Sequence, residues 1–442
     1  MTDFQASPPW RSTLMTALVF SFALLITVGV QASDSKITPL VTADDLESSE
    51  LTGGPIGPDV IVGVLPGTSS FGQVGNIVSY SVGTTSCNKG DAELRWEANN
   101  NNHPVIGQNL YRLKNDRLEQ IGMSWLKHGF LALAGDACGL GCIPPGTGTR
   151  LGVGCSDPYS SGLNGSQSGL GPRFEVNATT GIFSYPFTDQ GQTGNAVYKR
   201  LQVHVDDVTP AMNAGALYFI EGHYIASDDA AAGNGLNNAS YREVTVSAGL
   251  NLNTVGSTQR ERPAILAWPD TDPTVEIDTM DVPSDGRFTL ATKVVDNLDG
   301  TWRYEYAVHN LNSHRSGRLF SVPVDPSVTV TDIGFRDVDH HSGEPWDTTD
   351  WPGTFSGGTV SWMTDTFTAN ANANALRWGT MYNFWFTANE PPAMTKVRLH
   401  LFRDGTPTFM TADTMGPGGA DPDIFTDGFE SGNTSAWTVT VP

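Results

Sequence analysis

Residues 301–310 read TWRYEYAVHN. Trp302, Tyr304, Tyr306 and Val308 share one side of a period of two, and Arg303, Glu305, Ala307 and His309 share the other. Successive side chains of a strand point to opposite faces, so this alternation predicts a β-strand. The preceding Asp296-Asn297-Leu298-Asp299-Gly300 ends in Asp-Gly, a hairpin signal, and 288–295 reads as the partner strand. Residues 319–324, 328–335, 382–388 and 396–402 bring the set to about six short strands, with another around Trp362. In YNFWFTA (382–388), Tyr382, Phe384 and Phe386 lie opposite Trp385. A strand apolar on both faces is central or lies at an interface. Residues 286–412 are therefore expected to form a β-sandwich of immunoglobulin- or fibronectin-like size. The Cys…Trp…Cys pattern of antibody-type domains is missing, so only the architecture is expected.

Residues 256–285 are rich in Pro and Asp and read as a linker. Upstream, 58–255 carries strand-like runs at 60–65, 77–82, 105–113, 118–124, 128–134, 197–205, 216–225 and 241–248. Lys114-Asn115-Asp116-Arg117 is the turn of a hairpin. The expected fold class is all-β, with two sandwich or jelly-roll-like domains. At 442 residues the chain exceeds one comfortable core, and its 48 Gly and 27 Pro suit a turn-rich β protein.

Asp and Glu outnumber Lys and Arg by 47 to 25, a net charge of −22. That charge argues against nucleic acid and anionic lipid surfaces as partners. It suits calcium and cationic or neutral ligands. Residues 14–30 are almost continuously apolar and are followed by Val30-Gln31-Ala32, so 1–32 reads as a secretory signal peptide and 33–57 as a flexible acidic leader. No other segment could span a bilayer. Export puts Cys87, Cys138, Cys142 and Cys155 in an oxidising compartment, hence two disulfides. Three pairings are open. One bond within the long loop 135–172 and one from that loop to Cys87 is the favoured arrangement. A zinc site would need a second CxxC-type pair, which is missing.

Four histidines, His103, His128, His204 and His223, fall in the first domain. His204 shares a strand face with Asp206, and His223 with Glu221. Strand histidines of this sort could gather zinc or copper. His103 and His128, with Asp157 and Tyr159 behind them, are the candidate catalytic groups for acid–base work. The competing reading makes each an ordinary hydrogen-bonded side chain on a stapled loop. Ser156 lacks the G-x-S-x-G context of a serine nucleophile. Two acidic loops could hold metal: one, with Asp228, Asp229, Asn234, Asn237 and Asn238, calcium, and the other, with Asp337, Asp339, His340, His341, Glu344, Asp347 and Asp350, calcium or a transition metal. For both, solvated loop groups are the simpler reading. Trp346, Trp351, Trp362, Trp378 and Trp385 could stack on sugar rings, although core packing explains them more simply.

The chain ends in a Gly/Pro linker and tail, 413–442. Residues 424–437, IFTDGFESGNTSAW, resemble the I-F-x-D-G-F-E-S-G-[DN]-x-S-A-W tail of many exported proteins of Gram-negative bacteria. HPVIGQNLYR (103–112), SWLKHGF (124–130) and GVGCSDPY (152–159) likewise resemble uncharacterised exported bacterial proteins. The resemblance implies a secreted, periplasmic or outer-surface protein and says nothing about activity. Two functions are expected from different classes. One is a binding or structural protein for carbohydrate or matrix. The other is a metal-assisted (zinc or copper) enzyme acting on an extracellular polymer through the first-domain histidines.

Overall fold

TWRYEYAVHN forms the strand Trp302–Asn310, at the centre of a five-stranded antiparallel sheet. Its order is Glu276–Asp281, Arg287–Asp296, Trp302–Asn310, Thr380–Ala388, Val330–Arg336. This is a computed structural model describing residues 55–188 and 194–418, and it is nearly all β. The expected signal peptide, the expected leader through Gly54 and the tail from Gly419 lie outside the described residues.

Tyr304, Tyr306 and Val308 point into an aromatic-rich core shared with Phe320, Trp362 and Leu399. Those partners belong to a second five-stranded sheet, ordered Gly353–Ser356, Thr359–Met363, Gly317–Pro323, Pro392–Leu401, Phe409–Pro417. The two sheets make the second sandwich. Each fully buried apolar side chain here contributes roughly 1.5–3 kcal/mol. Of Trp346, Trp351, Trp362, Trp378 and Trp385, three are packing residues: Trp351 and Trp362 are within 1% of complete burial and Trp378 is 4% exposed.

The opposite face of the Trp302–Asn310 sheet is also covered. Ala291, Ala307 and Met381 pack on Tyr111, Leu113 and Phe219 of the first sandwich, with Trp268 beside them. Trp385 lies on this side, its ring 3.6 Å below the Arg117 guanidinium. Its strand is apolar on both faces because it lies at an interface between sheets.

The first sandwich pairs a ten-stranded antiparallel sheet with a three-stranded one, Val60–Val64, Thr84–Asn88 and Ser156–Tyr159. Val60, Val62 and Tyr159 meet Tyr80, Ile106, Leu110 and Tyr224 between them. The hairpin Val105–Lys114 and Arg117–Met123 runs through the large sheet. Asn115 and Asp116 adopt φ of 50° and 63°, the consecutive left-handed pair of a type I′ turn. Four β layers therefore stack in sequence, and the seam between the two sandwiches is the interface between the second and third.

Three expectations need correction. The second sandwich runs past 412, because Phe409–Pro417 is its edge strand, so the linker expected from 413 does not begin there. The strand expected at 128–134 ends at once: Leu126–His128 is the strand, and 129–134 is irregular. There the backbone is held by Phe130 N donating to Tyr159 Oη, Ala132 N to Gly148 O and Leu133 N to Asp157 Oδ1, bonds that replace a ladder. The stretch 256–285 is no free tether. It supplies the turns Ala264–Leu266 and Ala267–Thr271, which bury Trp268, and the edge strand Glu276–Asp281.

Candidate functional site

The structure brings His103 and His128 together. His103 Nδ1 lies 2.9 Å from the Glu97 carbonyl, and His103 Nε2 lies 3.0 Å from His128 Nδ1. A carbonyl only accepts, so His103 Nδ1–H donates to it. Burial lowers the His103 pKa and drives that of His128 down to about 2, so both rings are neutral. A neutral imidazole carries one proton, so His103 Nε2 must accept and His128 Nδ1–H must donate. The relay ends in a bare lone pair on His128 Nε2, which is buried with no protein partner. Phe187 stacks on the His128 ring at 3.8 Å, and Phe183 meets it edge-on at 5.0 Å. Gly171 is required here: a Cβ at that position would sit 2.5 Å from His128 Nε2.

Asp157 and Tyr159 hold the stapled loop. Tyr159 Oη accepts from Trp96 Nε1 (3.0 Å) and Phe130 N (2.9 Å). Burial pushes its pKa up to about 12, and the hydroxyl is committed to the loop. Asp157 Oδ1 accepts from Leu133 N at 2.8 Å, whereas Oδ2 is buried without a protein donor. Burial raises this carboxyl to about 6. The disulfides are Cys142–Cys155, within the loop, and Cys87–Cys138, which ties the loop to the three-stranded sheet. That second bond crosses Gly63, where a Cβ would lie 2.0 Å from Cys138 Sγ.

His204 and His223 stand apart from this pair. His204 ends a strand of the large sheet, 40% exposed, with Asp206 at 3.7 Å. His223 is buried in the seam, its ring centre 6.1 Å from that of Trp378. Among the described residues, no group of three or more His, Cys, Asp or Glu is arranged to hold a metal ion. In the acidic loop 337–350 the two histidines diverge. His340 Nε2 meets Tyr382 Oη at 3.2 Å, and His341 Nε2 meets the Arg200 carbonyl at 3.0 Å. Glu344 accepts from the Arg173 and Phe174 amides, so it serves as a structural acceptor.

A feature without any local sequence signal is the mouth of the seam, a crevice of about 510 Å³. Its walls come from strands far apart in the chain: Gln202, His204 and Asp207 on one side, Phe335, Arg336 and Asp339 on the other, with Trp385 at its base. Arg336 bonds both oxygens of Asp207 at 2.9 Å and lies 3.6 Å from Glu119. Arg112 closes the ring, 2.6 Å from Glu119 and 2.9 Å from Asp207. The crevice therefore has fixed, mutually paired charges in its floor, with exposed Asp339 and half-exposed Gln202 at its rim. No family model matches the chain, and no curated protein matches its sequence.

Proposed function

We propose that this is an exported binding protein that takes a neutral polyhydroxylated chain, a carbohydrate, in the crevice between its sandwiches. The observation that carries this reading is the lining: neutralised acid–base pairs with aromatic edges from Trp385 and Phe335. Ligand clefts favour domain junctions, and sugars are recognised by planar polar groups beside aromatic rings. The two disulfides agree with an oxidising compartment. Among the described residues, no helix is long and apolar enough to cross a membrane. Titration of the full chain with soluble poly- and oligosaccharides tests the reading. At least one should bind, and Asp339→Ala and Gln202→Ala should weaken it several-fold. Absence of binding across neutral, acidic and amino-sugar polymers defeats it, as does binding that both variants leave unchanged.

One observation favours the enzyme reading instead: the bare Nε2 of His128, oriented by His103 much as a metal-binding imidazole is oriented by its outer partner. Stoichiometric zinc or copper in the purified protein, lost in His128→Ala, would establish it.

A further inference from the structure

Where the first strand begins, five oxygen-bearing side chains fall into two hydrogen-bonded groups, Asp229 with Asn238 and Asn237 with Asp59 and Glu261. Val60 N donates to Asp229 Oδ1 at 2.8 Å. Asn238 Nδ2 donates to the other Asp229 oxygen at 2.8 Å. Asn237 Nδ2 reaches Asp59 Oδ2 at 3.3 Å and Glu261 Oε2 at 3.4 Å, both long for this kind of contact. Asp59, Asp229 and Asn238 are each at most 1% exposed. Three acceptor oxygens are nonetheless left with no protein donor: Asp59 Oδ1, Asn237 Oδ1 and Asn238 Oδ1. Such atoms are costly when buried, and an amide flip does not cure them, because each Asn nitrogen is already needed by a carboxylate. The Lys89 ammonium pairs with Glu261 at 2.9 Å and makes no hydrogen bond to the Asp59 or Asp229 carboxylate, although the Lys89 amide donates to the Asp59 carbonyl at 2.8 Å and its charge is felt at Asp59.

The geometry points to a calcium site at this junction, with Asp59, Asn237 and Asn238 supplying oxygens, Glu261 beside them, and water completing the shell. Carboxylate and amide oxygens without nitrogen or sulfur are calcium donors, and a flexible shell of six to eight oxygens tolerates this mixture. Zinc prefers histidine and cysteine, which the cluster lacks. A bound ion would join the start of the Val60–Val64 strand to the 227–238 loop and to Glu261. This inference is independent of the crevice.

The test uses the full chain, stripped with EDTA and dialysed. Calcium chloride should bind with a dissociation constant on the order of 10⁻⁴–10⁻³ M, the range of extracellular modules, and raise the melting temperature. Magnesium should do so more weakly, and zinc should not reproduce it. Asp59→Asn should keep the near-ultraviolet circular dichroism and both disulfides, melt no lower than wild type in EDTA, and bind calcium at least tenfold more weakly. If Asp59→Asn does not fold, Asn237→Ala provides the same readout from a half-buried position. Calcium that gives neither heat nor a melting shift up to about 10 mM overturns the site and assigns the unpaired oxygens to water alone. An undiminished calcium response in the folded variant also overturns it.

Discussion

Tyr306 and Glu305 are neighbours in one strand, and each is at most 1% exposed. Tyr306 faces Phe320 and Phe386, at ring distances of 5.6 and 6.1 Å, and its hydroxyl donates to the Met415 carbonyl at 2.9 Å. Glu305 faces Arg117 through two bonds of 2.7 and 2.8 Å, and Arg303 adds an ion pair at 3.1 Å. The first side of the sheet is an ordinary apolar core, where stability follows from area and fit. The second is a seam in which charged groups from two sandwiches are paired, Arg117 with Glu305 and Asp207 with Arg336, while His309 has no partner. Burial alone does not tell these environments apart; the number of partners each atom requires does. Stability on the core side is spread over many contacts, whereas on the seam side it depends on particular pairs.

The largest effect is expected in the core. Trp362 is fully buried against Phe320, Phe384 and Phe386. Trp362→Ala should cost about 3–5 kcal/mol by urea unfolding, from lost transfer energy and the cavity left behind. A loss below about 1 kcal/mol would show that this layer is not tightly packed.

At the seam the pattern of losses should matter more than their size. Glu305→Ala strands Arg117 above Trp385 and should cost roughly 2–3 kcal/mol, less than a fully buried pair because Arg117 is partly exposed. Arg117→Met combined with Glu305→Leu should recover part of that loss, since the pair is replaced by two apolar groups and Arg303, which loses Glu305, is partly exposed and keeps its pair with Asp116. If the double variant is as unstable as the sum of the singles, the seam behaves like the core and the contrast fails.

The sequence is readable where a pattern is local. TWRYEYAVHN revealed its two faces because the strand period is two. Asn115-Asp116 revealed its turn, and Cys87, Cys138, Cys142 and Cys155 paired as favoured. Trp385 could be narrowed to a centre or an interface and no further, because its partner Arg117 is far away in the chain. The crevice was not readable at all. Arg336 and Asp207 are 129 residues apart, and neither belongs to a motif. The strand Thr84–Asn88, TTSCN, is wholly buried yet shows no apolar alternation, because its polar side chains find partners inside, such as Tyr224 on Thr84 and Asn88 on Ala92 and Leu151. Of the site residues, His103 and His128 meet while His204 and His223 do not join them. That outcome depends on how strands are ordered in the large sheet, which local spacing does not encode.

The smallest effect separates core from seam by pH. His309 shares the seam face with Glu305 and is fully buried, with no protein partner for either ring nitrogen. Burial lowers His309 and its neighbour His223 to about 3, from an ordinary value of 6.5. The unfolded chain takes up these protons first, so their contribution is intact above about 6.5 and is lost as pH falls toward 3. The seam carboxyls act in the opposite direction. Burial raises Glu221 and Glu305 above their ordinary 4.5 and raises Glu344 to about 7, so each adds stability as pH falls through its raised value toward 4.5. The two contributions offset each other down to about 4.5, below which only the histidine loss continues. His309→Leu should therefore lie within about 1 kcal/mol of wild type at pH 7, since it replaces an unpartnered ring with an apolar group. At pH 5 it should be more stable than wild type by a further 2 kcal/mol or so, at about 1.4 kcal/mol per pH unit below 6.5. Urea midpoints at the two pH values decide it. A difference that does not change with pH would mean that His309 titrates alike in the folded and unfolded chain, and the seam would then need an acceptor for the charged ring that the core side of the sheet does not.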